Sequence, residues 1–307
     1  MKKKLVLSIF IGLFLTLIGL SFLFVAKPVV NLVYMSDSKY LPYMMTSLYS
    51  AIKNKNKTTV YNVHVIAQDF SKEDINKLKQ LEQENVQIKI YPAEDKNLDM
   101  SHLGRFASFK ISLQKLFISA YLQNVEKALY LDADTLVLKD LSTVYRMPLR
   151  GYYAAAVKDG LMYQFPEHIK EIGLEWRNFY FNSGVMLLNL NKMREDDIIR
   201  SAIIYFNTHE EVFGDQDVLN VVFADKVKPI SYRYNCNSTF FEEKDAAFLS
   251  QFYGEKIPAT PLEVYKNAVI LHFAGHKPWT EWFTHPYLKP LWQSYADELN
   301  KKYLRHI

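Results

Sequence analysis

With a single cysteine, Cys236, in 307 residues, the chain can form no intrachain disulfide and no cysteine-rich zinc site. Glycine is also scarce, at 10 residues, and none of these builds a G-x-G-x-x-G or Walker pattern. If a nucleotide binds, something other than a glycine loop must neutralise its phosphates. The formal charge is only +4, and Lys2, Lys3 and Lys4 supply most of it. No basic stripe is left over for a nucleic-acid surface, so that class is set aside. There is no internal repeat, and no low-complexity segment beyond one apolar N-terminal run.

The remaining composition is that of a folded protein: 49% hydrophobic, 15% aromatic and 23% charged residues. This suffices for the core of one large domain or two small ones and argues against extensive disorder. Residues 5–26 carry no charge, and at about 1.5 Å per residue a helix of that length spans a bilayer. A cleaved signal peptide has a shorter apolar region before a small-residue site. The length here, and the bulky Phe22, Leu23 and Phe24, point instead to a retained anchor. The three lysines before it should stay in the cytoplasm, which places the chain after Ala26 on the far side. Two N-glycosylation triplets, beginning at Asn56 and Asn237, are usable only on a lumenal side. The expected organisation is an anchor over residues 1–27 and a folded domain over 28–307.

After the short Lys27–Pro28 linker, strands and helices alternate. Strands are expected at 29–35, 59–66, 86–91 and 127–131. Helices are expected at 41–52, 71–81 and 106–122, with a final amphipathic helix at 287–303. Ser71 and Asp74 have capping-box spacing. Such alternation predicts an α/β fold with a mostly parallel sheet flanked by helices. Ligands in that architecture bind beyond the carboxyl ends of the strands. The fourth strand, apolar at nearly every position, runs directly into Asp132 and Asp134. Residues two apart in an extended segment project to one side. Two carboxylates there form an oxygen-rich corner suited to Mg²⁺ or Mn²⁺, able to neutralise a departing diphosphate. Haloacid-dehalogenase-like phosphatases also place Asp-x-Asp after an apolar strand, but continue with Thr or Val two positions on. Here Thr135 follows Asp134 directly and Leu136 holds the required position. Their motif also sits on the first strand of the domain, and that reading is rejected.

Further segments extend the pattern in order. Asp37 and Tyr40 follow the first strand, and Lys115 lies in SLQKLF. Then come LYLDADTLVL, Asp159, FNSGVMLLNL, GDQDVLN and LHFAGHKPW. Together, over about residues 29–282, they resemble glycosyltransferase family 8, which includes glycogenin, bacterial lipopolysaccharide galactosyl- and glucosyltransferases and Golgi xylosyltransferases. The resemblance implies a GT-A fold and retaining transfer of a hexose or pentose from a UDP-sugar to a glycan, lipid or protein acceptor. It implies Mn²⁺ (or Mg²⁺) held by Asp132, Asp134 and, as third ligand, His272. Asp37 would lie beside the uracil ring, and Gly275 and Lys277 would meet the pyrophosphate. Asp159, Asn182, Asp215 and Gln216 would line the transferred sugar, with Lys115 near the donor.

Each residue also has a structural alternative. His272 ends an apolar strand, where a histidine is commonly structural. Asn182, Ser183 and Gly184 suit a tight turn, and Asp215 and Gln216 suit a helix cap. Lys277 suits a solvated surface, and Tyr40 the core. Two positions depart from the family pattern. Only His276 separates Gly275 from Lys277, where two residues are usual. Ser38 and Lys39 replace an acidic residue and an asparagine. The competing functional reading is a non-catalytic membrane protein of this fold that binds a sugar nucleotide or glycan, and UDP release separates the two. The setting expected is a single-pass membrane protein, lumenal in a Golgi or at a bacterial inner membrane.

Overall fold

The computed structural model describes residues 27–94, 98, 110–175, 179–209 and 214–304. The expected anchor at 5–26 lies outside these. Among the described residues no helix is long and apolar enough to cross a membrane.

The strands are β1 (Val29–Asp37), β2 (Val60–Gln68), β3 (Val86–Pro92), β4 (Lys127–Leu131), β5 (Thr135–Val137), β6 (Ala154–Lys158), β7 (Phe181–Asn189), β8 (Val227–Pro229), β9 (Cys236–Asn237) and β10 (Ile270–His272). Seven form one sheet in the order β3-β2-β1-β4-β7-β6-β8, and β5-β10-β9 form a smaller one. In the large sheet only β7 runs against its neighbours, so the sheet is mostly parallel. Its central strand β4 is apolar from Ala128 to Leu131 because both faces are covered. Leu129 and Leu131 of β4 enter one core, and Ala128 and Tyr130 the other.

Strand β4 has the bounds expected from sequence, and β1, β2 and β3 run one or two residues longer than expected. The Ser71 capping box forms: Ser71 Oγ accepts from Asp74 N at 3.1 Å, and Asp74 Oδ2 accepts from Ser71 N at 2.9 Å. Ser71→Ala is expected to cost about 1 kcal/mol of stability, read as a lower urea midpoint with unchanged slope.

The helix expected at 106–122 is not one α-helix. Residues 106–109 lie outside the described residues. The rest is a 3₁₀ segment, Ser112–Phe117, followed by a single α turn, Ile118–Tyr121. Residues 113–119 are buried without interruption, including Gln114 and Lys115. That pattern does not suit an amphipathic surface helix, whose apolar positions recur with helical period. At the other end of the chain, the Leu288–Leu299 helix continues as a π-helical turn, Asn300–Leu304. It packs on the Leu41–Asn54 helix, where Asn54 Nδ2 donates to Tyr295 Oη at 2.7 Å. Tyr43 of the same helix stacks on Trp279 at 3.8 Å between ring centroids.

Candidate metal and donor site

The direction of β7 places the site. Because β7 is antiparallel to β4, its first residues lie beside the end of β4, with Val185 opposite Leu131. Asp132 N then donates to Gly184 O at 2.8 Å, one step beyond the strand. On the other flank Asp159 N donates to Tyr180 O at 2.8 Å. The small sheet supplies the rest: His272 pairs with Thr135 of β5 and with Asn237 of β9. Phe273 N donates to Asp134 O at 3.0 Å. Segments more than a hundred positions apart therefore meet at the carboxyl edge of the sheet.

Asp132, Asp134 and His272 each offer one ligand atom, and these atoms lie within 4.8 Å of one another. His272 Nε2 stands 3.3 Å from Asp134 Oδ1 and 3.6 Å from Asp132 Oδ2. Two carboxylates and an imidazole suit Mn²⁺, and the oxygens alone suit Mg²⁺. Gly184 is what permits the approach. A Cβ there would overlap His272 Cε1 and lie 2.7 Å from Asp132 Oδ2. Glycine inside a strand commonly marks such a close approach. The donor set and the space left by Gly184 both fit a divalent cation.

Cationic side chains surround the carboxylates. Lys277 Nζ pairs with Asp134 Oδ2 and donates to Phe273 O at 2.9 Å. Burial works to raise the Asp134 pKa, but Lys277 and His272 outweigh it and hold the carboxyl well below the usual carboxylate range. Lys115, only 4% exposed, bridges Asp132 Oδ1 at 3.0 Å and Asp215 Oδ2 at 2.9 Å. Burial alone would lower its pKa, but the two carboxylates raise it above the ordinary lysine value. Tyr130 Oη donates to Asp132 Oδ1 at 2.5 Å. Burial, then Asp132, pushes that phenol far up, so it remains a donor.

A second cluster adjoins the first. Asn182 Nδ2 donates to Asp159 Oδ2 at 2.6 Å, and Gln216 Nε2 to the same oxygen at 3.3 Å. Gln216 Oε1 accepts from Ser183 N at 2.9 Å, and Asp215 Oδ2 from Ser183 Oγ at 2.8 Å. Asp215 begins the Asp215–Phe223 helix, whose cap position is Gly214, so its carboxylate serves Lys115 and Ser183 rather than the helix end. Asn182, Ser183 and Gly184 are strand, not turn. Gly275 adopts φ +88°, which glycine reaches without strain. Asp37 Oδ1 accepts from Tyr40 N at 2.8 Å, and the half-exposed Tyr40 ring meets Trp279 edge-on, 6.1 Å between centroids. The turn after β1 and the Lys277 segment are thereby neighbours. Of the sequence-derived residues, Lys115, Asp215 and His272 are buried. Sequence reasoning gave no role to Tyr130 or Asn235, and named Ser183 and Gly184 only as a turn. Asn237 is a strand residue whose Oδ1 caps the Ser238–Glu243 helix.

The glycosyl transferase family 8 model matches residues 31–283. The chain belongs to glycosyltransferase family 8. A Haemophilus influenzae relative named "Putative glycosyltransferase" is 33% identical over 220 residues, 68% of this chain and 64% of that relative, so the match spans just under two thirds of its length. General stress protein A of Bacillus subtilis is 27% identical over 84% of this chain and 90% of its own. An Escherichia coli lipopolysaccharide 1,2-glucosyltransferase is 26% identical over 80% of this chain and 72% of its own. The structure of galactosyltransferase LgtC, determined with donor and acceptor sugar analogues, matches with a TM-score of 0.71 at 22% identity. It covers 88% of this chain and 96% of that one. The GT-A-like α/β fold fits that of LgtC, and the chain is a family 8 glycosyltransferase with a group able to hold a metal.

Proposed function

We propose that this family 8 chain is a membrane-anchored, retaining transferase that moves a hexose or pentose from a UDP-sugar to a glycan, lipid or protein acceptor. The observation that carries the reading is the Asp132–Asp134–His272 group at the carboxyl edge of the sheet, with Lys277 already on Asp134. When bound, a divalent cation, Mn²⁺ or Mg²⁺, supplies positive charge to the departing diphosphate. Asp132, Asp134 and His272 would hold it. Lys277, with Gly275 giving the backbone room, donates to the diphosphate as a mobile point charge. Asp37 lies toward the base. Asp159, Asn182, Asp215 and Gln216 orient the sugar, and Lys115, paired with Asp132 and Asp215, holds both carboxylates in place. No carboxylate here is assigned as a nucleophile. The acceptor hydroxyl then bonds to the anomeric carbon from the face at which the bond to the UDP diphosphate breaks, and its proton passes to the departing diphosphate.

Residues 28–307 form the catalytic domain and 5–26 the anchor. We propose an inner-membrane setting with the domain on the cytoplasmic face, where sugar nucleotides are made, against the charge rule. Protease added to inside-out vesicles is expected to degrade the domain, and protection there would reverse the assignment.

The direct test is UDP release from UDP-glucose, UDP-galactose and UDP-xylose by a chain lacking residues 1–26. One donor should turn over with Mn²⁺, and chelation should stop it. Binding without turnover would mean a non-catalytic sugar-nucleotide binder. For Lys277→Met, kcat/KM for the donor is expected to fall about 100-fold, the scale of one charge-stabilising donor. Unchanged kinetics would reduce Lys277 to a counter-ion of Asp134.

A further inference from the structure

We infer that Asn235 is a positioning residue that fixes the ring of His272 for metal ligation and links it to the sugar-side carboxylate Asp159. This rests on the metal reading above. Asn235 is buried at the end of the Tyr232–Tyr234 turn, just before β9. Its Oδ1 lies 2.9 Å from His272 Nδ1, and its Nδ2 lies 2.7 Å from Asn182 Oδ1.

Two fixed ends set the direction of every bond in this chain. At one end Asp159 Oδ2, a carboxylate oxygen, accepts, so the Asn182 atom facing it at 2.6 Å is the amide nitrogen. Asn182 Oδ1 must then face the other way, and the backbone Gly184 N, which can only donate, meets it at 2.9 Å. The Asn235 atom on Asn182 Oδ1 is therefore Nδ2, which turns Asn235 Oδ1 toward His272. An amide oxygen only accepts, so His272 carries a proton at Nδ1. In the neutral ring Nε2 is then the lone-pair nitrogen, and it is the one aimed at Asp132 and Asp134. A partner on the far ring nitrogen is how proteins commonly fix a metal-binding histidine. The same series, Gln216 to Asp159 to Asn182 to Asn235 to His272, joins the second cluster to the first.

The test is calorimetric titration of Mn²⁺ alone into the full chain in detergent, comparing wild type with Asn235→Ala and Asn235→Asp. Asn235→Ala removes the acceptor, and its Mn²⁺ affinity is expected to fall about 10- to 100-fold. Asn235→Asp keeps an acceptor for Nδ1–H but loses the donor to Asn182, and it is expected to bind Mn²⁺ within a few-fold of wild type. A purely structural role predicts the opposite for aspartate, because it sets a carboxylate against the Asn182 oxygen and should do at least as much harm as alanine. Wild-type affinity in Asn235→Ala, or equal loss in both variants, overturns the inference while leaving the metal site standing. Absence of Mn²⁺ binding in wild type instead removes the metal reading, and this inference with it.

Discussion

Gly184→Ala is expected to remove metal-dependent turnover, with a loss of about 100-fold or more in kcat, the scale of a 1 Å displacement in a catalytic site. The added Cβ overlaps His272 Cε1 and sits 2.7 Å from Asp132 Oδ2 and 2.8 Å from His272 Nδ1. Neither side can give way easily. Gly184 is held in the strand by its carbonyl on Asp132 N and its amide on Asn182 Oδ1. The His272 ring is 3% exposed and tied to Asn235. The methyl group therefore pushes ring and carboxylate apart, across the space a cation would fill. Parallel Mn²⁺ titration and steady-state kinetics, with a thermal melt to confirm folding, check this. A folded alanine variant with normal Mn²⁺ affinity would show that the three groups have slack that the structure does not suggest.

Asp134→Ala carries the other large effect: about 10³-fold lower turnover with Mn²⁺, the upper end for losing one charge-stabilising group, while the domain stays folded. Asp134 contributes one of three ligand atoms and is also the anion that holds Lys277. Its loss frees Lys277 as well as weakening the metal site, so added Mn²⁺ should not restore the rate. Near-normal turnover at saturating Mn²⁺ would remove the proposed metal site. The same carboxylate gives a pH signature. Its folded pKa is depressed, so the stability it contributes is fully present above its unfolded value of about 4 and is lost as pH falls further. Wild-type melting temperature should fall more steeply below about pH 4 than that of Asp134→Ala.

The parts of this site that sequence alone reveals are those coded locally. The β4 run is apolar because both faces of the sheet are covered, and its end at Leu131 marks where Asp132 and Asp134 begin. The Ser71–Asp74 box reads from spacing because both partners sit in one turn. His272 and Lys277 come only through the family resemblance, since Lys277 lies 143 positions from its partner Asp134 and no periodicity joins them. The 112–121 segment escapes because its continuous burial imitates a longer apolar helix. Gly184 left a legible trace, a glycine within an otherwise strand-forming run. Asn235 left none: a lone asparagine before Cys236 reads as loop, and its role depends on two partners, Asn182 and His272, that only the folded sheets bring together.

The most direct measurement is a crystal structure of the chain with UDP and Mn²⁺, with the ion located by anomalous scattering at the manganese edge. The account predicts one strong peak within bonding distance of Asp132, Asp134 and His272 Nε2, about 2.0–2.2 Å for oxygen and nitrogen ligands to a divalent transition ion. It also predicts the diphosphate on that ion, with Lys277 moved from Asp134 onto it. Manganese elsewhere, or UDP bound with this corner empty, would contradict it.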